Sequence, residues 1–255
     1  MTVGELSVVV HRDAEVLAAA AAARLMVRIV DAQNARGRAS IVLTGGGVGI
    51  GTLKALNASP ARHAIDWAAL DIWWGDERFV APGDPERNEL QANEALLDHV
   101  PVDPARVHRM PADTGGSPES AAEQYADELA KAARPGADLP RFDVLMLGVG
   151  PEGHVASIFP ESPAAYDEGL VTAVRNCPKP PPTRVSLTFG TITSADEVWL
   201  LAAGEGKAEA VGLALAGAGR VQIPAAGARG GVRTLWLLDE AAAVNVPAEL
   251  RLRRS

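Results

Sequence analysis

The sequence has a single cysteine, Cys177, in 255 residues. One cysteine excludes an internal disulfide and a cysteine-rich metal site, and such usage is typical of a reducing compartment. His11, His63, His99 and His108 have no partner at metal-ligand spacing. The sequence therefore predicts a protein without a bound metal.

Long apolar runs are missing as well. The longest, over residues 16–30, is interrupted by Arg24 and Arg28 and falls short of a membrane-spanning helix. Residues 1–5 show no basic start followed by an apolar run, so no secretory signal is expected. These absences predict a cytoplasmic protein with no membrane partner.

Acidic residues outnumber basic ones, 32 to 24, so the formal net charge is −8. Such a chain is repelled by nucleic acid unless it has a local basic patch, and the tail with Arg251, Arg253 and Arg254 is too short to supply one. We expect no nucleic-acid partner and no obligate protein partner. No linker or internal repeat divides the chain, and its length suits one domain spanning residues 1–255.

Short apolar runs alternate with helical segments along the whole chain. This alternation predicts an α/β protein with a three-layer, Rossmann-like, mostly parallel sheet and helices on both faces. Asp13 and Ser117 are expected to cap two of the helices, and Gly37 to end the first. Strands are predicted at residues 7–10, 40–44, 70–74, 144–149, 170–174, 184–187, 195–203 and 235–238. Helices are predicted at residues 14–35, 48–57, 88–100, 118–133, 208–216 and 240–244.

Three glycines, Gly45, Gly46 and Gly47, form a predicted loop between a strand and a helix. Glycines let an anion approach the backbone, and free N–H groups at a helix start point towards it. The spacing fits neither the dinucleotide fingerprint nor the phosphate loop of ATPases, so a plain phosphate or phosphosugar is favoured. The alternative is a glycine turn used only for tight packing.

Residues 143–160 contain a predicted strand buried on both faces, which ends at Gly150 and Pro151. His154 follows in a loop at the carboxyl end of that strand, where open α/β sheets bind ligands. A neutral imidazole accepts a proton near pH 7, and a short helix over residues 155–158 would favour the neutral form. Glu152 could fix its tautomer. The alternative is a solvated surface loop.

Charged residues follow other predicted strands. Asp76 and Arg78 come directly after the strand over residues 70–74, and the arginine fork suits phosphate. Lys207 stands near a helix start, which makes a second candidate phosphate site. Arg184 follows three consecutive prolines, whose stiffness would hold it and Lys179 over a pocket. Solvated charges and a surface spacer are the alternatives.

The pattern of glycines, Glu152, His154, Ser157, Phe159 and Pro160 over residues 148–160 resembles the signature of the 6-phosphogluconolactonases, in the wider group that includes glucosamine-6-phosphate deaminases. Residues 44–47, 74–78, 179–184 and 206–208 match further family segments in the same order, so the resemblance covers nearly the whole chain. The family usually has aspartate where this chain has Glu152, and serine where it has Arg87.

The resemblance implies a NagB/RpiA-like fold and hydrolysis of the δ-lactone of 6-phosphogluconate in the oxidative pentose phosphate pathway, without a cofactor. His154 would take a proton from water and return it to the ring oxygen, with Glu152 orienting it. The phosphosugar lactone would be held by residues Gly45, Gly46, Gly47, Asp76, Arg78, Arg184 and Lys207. Backbone N–H groups near Gly153 or a nearby cation would stabilise the oxyanion.

Two alternative functions are a deaminase or isomerase reaction and sugar-phosphate binding without chemistry. A deaminase or sugar-phosphate isomerase of this group carries Asn-Glu-Pro after the histidine loop, whereas this chain has Ile158, Phe159 and Pro160, with Glu161 one position late. Non-catalytic sugar-phosphate sensors usually carry a DNA-binding helix-turn-helix, for which the chain has neither spare length nor a basic segment.

Overall fold

A computed structural model describes residues 4–250. The start of the chain, residues 1–3, and the basic tail with Arg251, Arg253 and Arg254 lie outside the described residues. Among those described, no helix combines the length and the apolar character needed to span a bilayer.

The fold is built on a parallel sheet of six strands in the order β1-β9-β8-β5-β2-β3. Three shorter strands form a separate antiparallel sheet in the order β4-β7-β6. The strands are Glu5–His11 (β1), Ala39–Leu43 (β2), Leu70–Trp74 (β3), Asp76–Arg78 (β4), Val144–Gly148 (β5), Val171–Val174 (β6), Arg184–Leu187 (β7), Glu197–Ala202 (β8) and Arg233–Asp239 (β9).

Helices cover both faces of the large sheet and bury two apolar cores. One core packs α1, α2 and α3 against the sheet, and the other packs α4, α5 and α6. Alternate residues of β5 enter opposite cores, as a strand buried on both faces requires. The helices are Ala14–Arg36 (α1), Gly46–Ala58 (α2), Asn88–Ala95 (α3), Pro118–Lys131 (α4), Phe189–Thr193 (α5) and Ala208–Leu215 (α6). The three-layer, mostly parallel α/β prediction is confirmed.

Helix boundaries follow the predicted caps in two places. The Asp13 carboxylate accepts a hydrogen bond from the N–H of Val16, and Ser117 accepts one from Ser120. Gly37 ends α1 with a left-handed φ of 74°. These interactions are local in sequence, so the pattern of residues is sufficient to predict them.

Three predicted elements differ. The helix expected at residues 155–158 is absent: Val155 forms isolated bridges with Val149 and Ile158, and Ala156 has a φ of 49°. Residues 240–244 form turns, and α3 ends at Ala95 before a short 3-10 helix, Leu97–His99. Each segment is short, so tertiary contacts outweigh helix propensity.

The sequence pattern did not predict that β4, β6 and β7 form a second sheet, separate from the large one. The chain leaves β3 at Trp74 and enters β4 after one residue, Gly75, whose carbonyl accepts a hydrogen bond from Leu187 of β7. The register places Arg78 opposite Arg184, and Asp76 opposite Ser186. Two predicted cationic residues that are far apart in the chain thus become neighbours.

Candidate active site

A cavity of about 280 Å³ lies at the carboxyl end of β2, β5 and β8, bordered by β4 and β7. Its lining includes Gly45, Gly46, Gly47, Asp76, Arg78, His154, Arg184 and Lys207. The structure therefore brings every predicted site residue to one cavity except Glu152, which lies beside His154. This is the edge of an open parallel sheet at which ligands bind.

The glycines form the floor of the cavity differently from the prediction. Gly46 and Gly47 belong to the first turn of α2 and not to a loop, and only Gly45 precedes the helix as its N-cap. Among the described residues, no side chain caps this N-terminus. The first-turn N–H groups lack helical acceptors, so they and the helix dipole favour an anion in the cavity.

Asn88 is a cavity residue that the sequence analysis did not include. It is 2% exposed, and its amide nitrogen donates to the Asp76 carbonyl at 2.9 Å. A Cβ built on Gly45 would lie 2.0 Å from Oδ1 of Asn88, so the glycine lets the two segments touch. Oδ1 is buried without a hydrogen-bond partner in the described structure. Asn88 directly follows Arg87, the position at which the family usually has serine, and that neighbouring position was the signal that could have identified it.

A buried carboxylate supports this side of the cavity. Glu77 accepts hydrogen bonds from the backbone N–H groups of Arg78, Asn88 and Glu89 at 2.8, 2.7 and 2.9 Å. Burial raises the pKa of Glu77 to about 7, against these donors and the nearby Arg87. The carboxylate thus fixes the start of α3 relative to β4, and with it the positions of Asn88 and Arg78.

Arg87, the residue at which the chain departs from the family pattern, is 1% exposed. Its guanidinium donates to Glu89 at 2.8 Å and to the carbonyl of Met110 at 2.6 Å, and Nη2 lies 3.9 Å from Glu77. Arg87 is therefore a buried partner of two carboxylates behind the cavity and not part of its lining.

The hydrogen bonds of the Arg184 guanidinium go to the proline segment, residues 179–182. Its guanidinium donates to the carbonyls of Lys179, Pro180 and Pro181 at 3.1 to 3.3 Å. It also lies 3.9 Å from Oδ2 of Asp76, which accepts a 2.7 Å hydrogen bond from Ser157. Arg184 therefore anchors the segment that carries Lys179.

Lys179 connects that segment to the histidine loop. Its Nζ donates to Oε2 of Glu152 at 3.1 Å, while Oε1 of Glu152 lies 3.0 Å from Nδ1 of His154. The second contact has ion-pair separation without the alignment of a hydrogen bond. Phe159 stacks on the imidazole with ring centroids 4.4 Å apart. With Nδ1 on the carboxylate side, Nε2 is the nitrogen left for a water molecule.

The charges around His154 set its protonation. Burial lowers the pKa of His154, Glu152 opposes this, and the Lys179 cation lowers the pKa further; the net shift is downward. Burial would raise the pKa of Glu152, but its own backbone N–H, His154 and Lys179 outweigh burial and the net shift is also downward. Near neutral pH the pair is therefore a neutral imidazole beside a carboxylate, which is the state that a general base requires.

Lys207 completes the cationic side of the cavity at the 3-10 turn Glu205–Lys207, before α6. Burial lowers its pKa, the Lys179 cation lowers it further, and the Glu152 carboxylate opposes both. The backbone N–H of Gly153 donates to the Gly150 carbonyl at 3.0 Å, so this donor is already engaged within the loop.

Within residues 4–250, no three side chains of histidine, cysteine, aspartate or glutamate are grouped so that they could hold a metal ion. The described cavity instead joins the largely buried imidazole of His154, a helix N-terminus and cations. Such a set can bind an oxyanion and move a proton beside it.

The chain is similar to several known proteins over most of its length. The family model for glucosamine-6-phosphate isomerases/6-phosphogluconolactonase matches residues 12–236. A 6-phosphogluconolactonase of Streptomyces coelicolor is 62% identical over 248 residues, covering 95% of each chain. One of Mycobacterium tuberculosis is 48% identical over 246 residues, covering 95% of this chain and 99% of the relative. The solved structure of the Trypanosoma brucei 6-phosphogluconolactonase has a TM-score of 0.76 at 28% identity, covering 96% of this chain and 100% of that one.

Proposed function

The chain belongs to the glucosamine-6-phosphate isomerase/6-phosphogluconolactonase family, and on that premise we propose that it hydrolyses 6-phospho-D-glucono-1,5-lactone to 6-phosphogluconate in the oxidative pentose phosphate pathway. The observation that carries the proposal is one cavity in which His154 lies beside Glu152 and opposite an uncapped helix N-terminus.

In the proposed reaction, Nε2 of His154 takes a proton from water as the water oxygen attacks the lactone carbonyl carbon. A tetrahedral oxyanion forms and then collapses, which breaks the bond between the carbonyl carbon and the ring oxygen. The imidazolium returns its proton to that ring oxygen. The product carboxylic acid then ionises in water, so the sum of the steps is addition of one water molecule across the ester bond.

The remaining residues bind and orient the substrate in this proposal. The phosphate lies at the first turn of α2, where Gly46 and Gly47 supply N–H donors and Arg78 supplies a guanidinium. Lys207 stabilises the developing oxyanion, since it lines the same cavity as His154. Lys179 and Glu152 hold the imidazole, and Asp76 and Arg184 hold the loops that carry them.

We also propose that residues 1–255 act as one domain, in the cytoplasm, with the phosphosugar lactone as the only partner and without a cofactor. Two apolar cores that share a single six-stranded sheet support the one-domain part of this proposal.

The direct test measures hydrolysis of 6-phosphogluconolactone in a pH-stat, corrected for spontaneous opening. We expect His154→Ala to lower turnover by about 10²-fold or more, the usual contribution of a positioned general base. His63→Ala is the matched control, because that side chain is exposed and remote from the cavity. Equal turnover in the two variants would reject His154 as the base.

The same preparation separates the rival activities. Incubation with glucosamine 6-phosphate should release no ammonia above background. Ammonia release, with no acceleration of lactone hydrolysis, would instead assign the deaminase reaction. Tight lactone binding without turnover would assign a sensor.

A further inference from the structure

A second cavity, of about 220 Å³, lies at the amino ends of the strands of the large sheet, on the side opposite the candidate active site. It is bordered by the first residues of β2 and β3, by the loop before β5 and by the chain just after α4. Five arginines line it, although the whole chain carries a net charge of −8. They are Arg36, Arg38, Arg106, Arg134 and Arg141.

Three of these arginines have carboxylate partners. Arg36 pairs with Asp143, Arg106 with Asp71 at 3.0 Å, and Arg141 with Asp143 at 3.5 Å. Asp103 and Asp196 add contacts to Arg106 and Arg141 from outside the lining.

Arg38 and Arg134 lack such carboxylate partners among the described residues. Neither guanidinium has an ion pair or a hydrogen bond within residues 4–250. Both side chains are exposed at the cavity mouth, and no carboxylate of the described residues pairs with either one.

Two buried polar atoms on the lining also lack partners. Ser40 is 8% exposed and Trp73 is 1% exposed, and neither Oγ of Ser40 nor Nε1 of Trp73 has a hydrogen-bond partner in the described structure. A buried donor without an acceptor loses the hydrogen bonds that it makes in water, so such atoms are normally satisfied by water or by a ligand. Ser40 and Asp71 are paired across β2 and β3, and Trp73 follows two residues later on the same side.

The chemistry of these groups defines what they can bind. Guanidinium and indole N–H groups are donors only, so a ligand that satisfies them must present acceptors on several sides. We propose that this cavity is a second anion site, which binds inorganic phosphate or a small phosphate monoester. The planar arginine forks suit the paired oxygens of a phosphoryl group, and Ser40 and Trp73 supply neutral donors to it.

The proposed site is separate from the candidate active site. Ser40 and Asp143 stand at the amino ends of β2 and β5, whereas Thr44 and Gly148 at the other ends line the catalytic cavity. Four residues of strand, at about 3.3 Å per residue, separate Ser40 from Thr44 by roughly 13 Å. One phosphate cannot occupy both cavities.

Titration with inorganic phosphate at constant ionic strength, followed by calorimetry, tests the site. Wild type should bind two phosphates. Arg38→Gln with Arg134→Gln should weaken one of the two by about tenfold or more, since hydrogen bonds to charged groups contribute about 1.5–3 kcal/mol each. Arg24→Gln with Arg229→Gln removes the same charge elsewhere and should keep both sites. Arg78→Gln with Lys207→Met should weaken the other site, at the catalytic cavity.

The indole N–H resonance of Trp73, assigned with Trp73→Phe, gives a local readout by NMR. It should shift with added phosphate in wild type and in the Arg78/Lys207 variant, and it should require about tenfold more phosphate or higher to shift in the Arg38/Arg134 variant. An unmoved Trp73 resonance in wild type, or equal phosphate binding by the Arg38/Arg134 and Arg24/Arg229 variants, would overturn the proposal. A titration with glycerol phosphate then identifies the ligand class. Binding tighter than that of inorganic phosphate assigns a phosphate monoester as the ligand, and weaker binding assigns free phosphate.

Discussion

The imidazole of His154 occupies the space that a side chain at Gly150 would need. A Cβ built at position 150 would lie 1.9 Å from Nδ1 of His154 and 2.8 Å from Oε2 of Glu152. The φ angle of Gly150 is not in the left-handed region, so glycine is required here by the close approach and not by backbone conformation. Gly150 thus lets His154 and Glu152 fold back over the end of β5.

Gly150→Ala should therefore displace the imidazole from Glu152 while leaving the fold in place, because a histidine side chain can rotate away. We expect kcat/KM for lactone hydrolysis to fall by about 10²-fold, comparable to loss of a positioned base. Gly83→Ala, at a glycine with no atom within 4 Å of the added Cβ, is the control. Unchanged kcat/KM in the Gly150 variant would show that the ring position is not needed.

Glu152→Gln should change the pH profile. The carboxylate raises the pKa of His154, so its neutralisation should lower that pKa further. A general base is active when unprotonated, so the acid limb of kcat/KM should move to lower pH than in wild type. The plateau should fall by roughly tenfold, less than the loss of about 10²-fold or more that removal of the base itself causes.

Glu152→Asp is the matched control for that experiment, since it keeps the charge that the family usually carries on aspartate. Its acid limb should lie closer to that of wild type than the limb of Glu152→Gln does. An acid limb that moves to higher pH in Glu152→Gln would contradict the assignment of His154 as the titrating base.

Lys179→Met should shift the profile the other way. The Lys179 cation lowers the pKa of His154, so its removal should raise that pKa and move the acid limb to higher pH. Lys179 is partly exposed, with 41% of its side chain accessible, so the shift should shrink in high salt. Lys131→Met, at an exposed lysine of α4, should leave the profile unchanged. Equal profiles for both lysine variants would remove Lys179 from the network.

Arg87→Met should destabilise the fold. It leaves Glu77 without its guanidinium partner and Glu89 with the longer contact to Arg109 at 3.4 Å, and breaking a buried ion pair on one side costs about 3–5 kcal/mol. Urea denaturation measures the free energy of unfolding, with Arg24→Met as a control that has no described partner. Glu77→Gln in the Arg87→Met background should recover part of the loss.

The Arg87→Met effect should depend on pH. The pKa of Glu77 is raised to about 7 in the fold, above its ordinary 4.5, so the stability linked to its protonated form is lost as pH rises through about 7. Arg87 opposes that rise in pKa. The deficit of the variant should therefore be larger at pH 8 than at pH 5, and a deficit independent of pH would contradict this account.

Much of the fold could be predicted from local patterns. Asp13 and Ser117 cap their helices through hydrogen bonds to residues three positions away, and the apolar run before Gly148 is the central strand β5. Motif order along the chain identified most of the cavity lining, including His154 and Lys207. These features depend on neighbours in sequence or on the edge at which parallel strands end.

Other features required contacts between distant segments, whose partners no local pattern specifies. The register of β4 with β7 places Arg78 opposite Arg184, and Lys179 reaches Glu152 only because the proline segment folds back. The loop at residues 155–158 is not a helix, since bridges from Val155 determine its path.

The sequence by itself thus determined the layered α/β architecture and the placement of His154 and of the glycine-rich helix start after strand ends, because apolar period, capping and motif order act over a few residues. Only the tertiary structure decided which charges meet: Lys179 with Glu152, Arg87 with Glu77, and the arginines gathered at the opposite edge of the sheet. The physical reason is that a pKa or an ion pair depends on distance and burial in space, and both are set by how the separate segments pack.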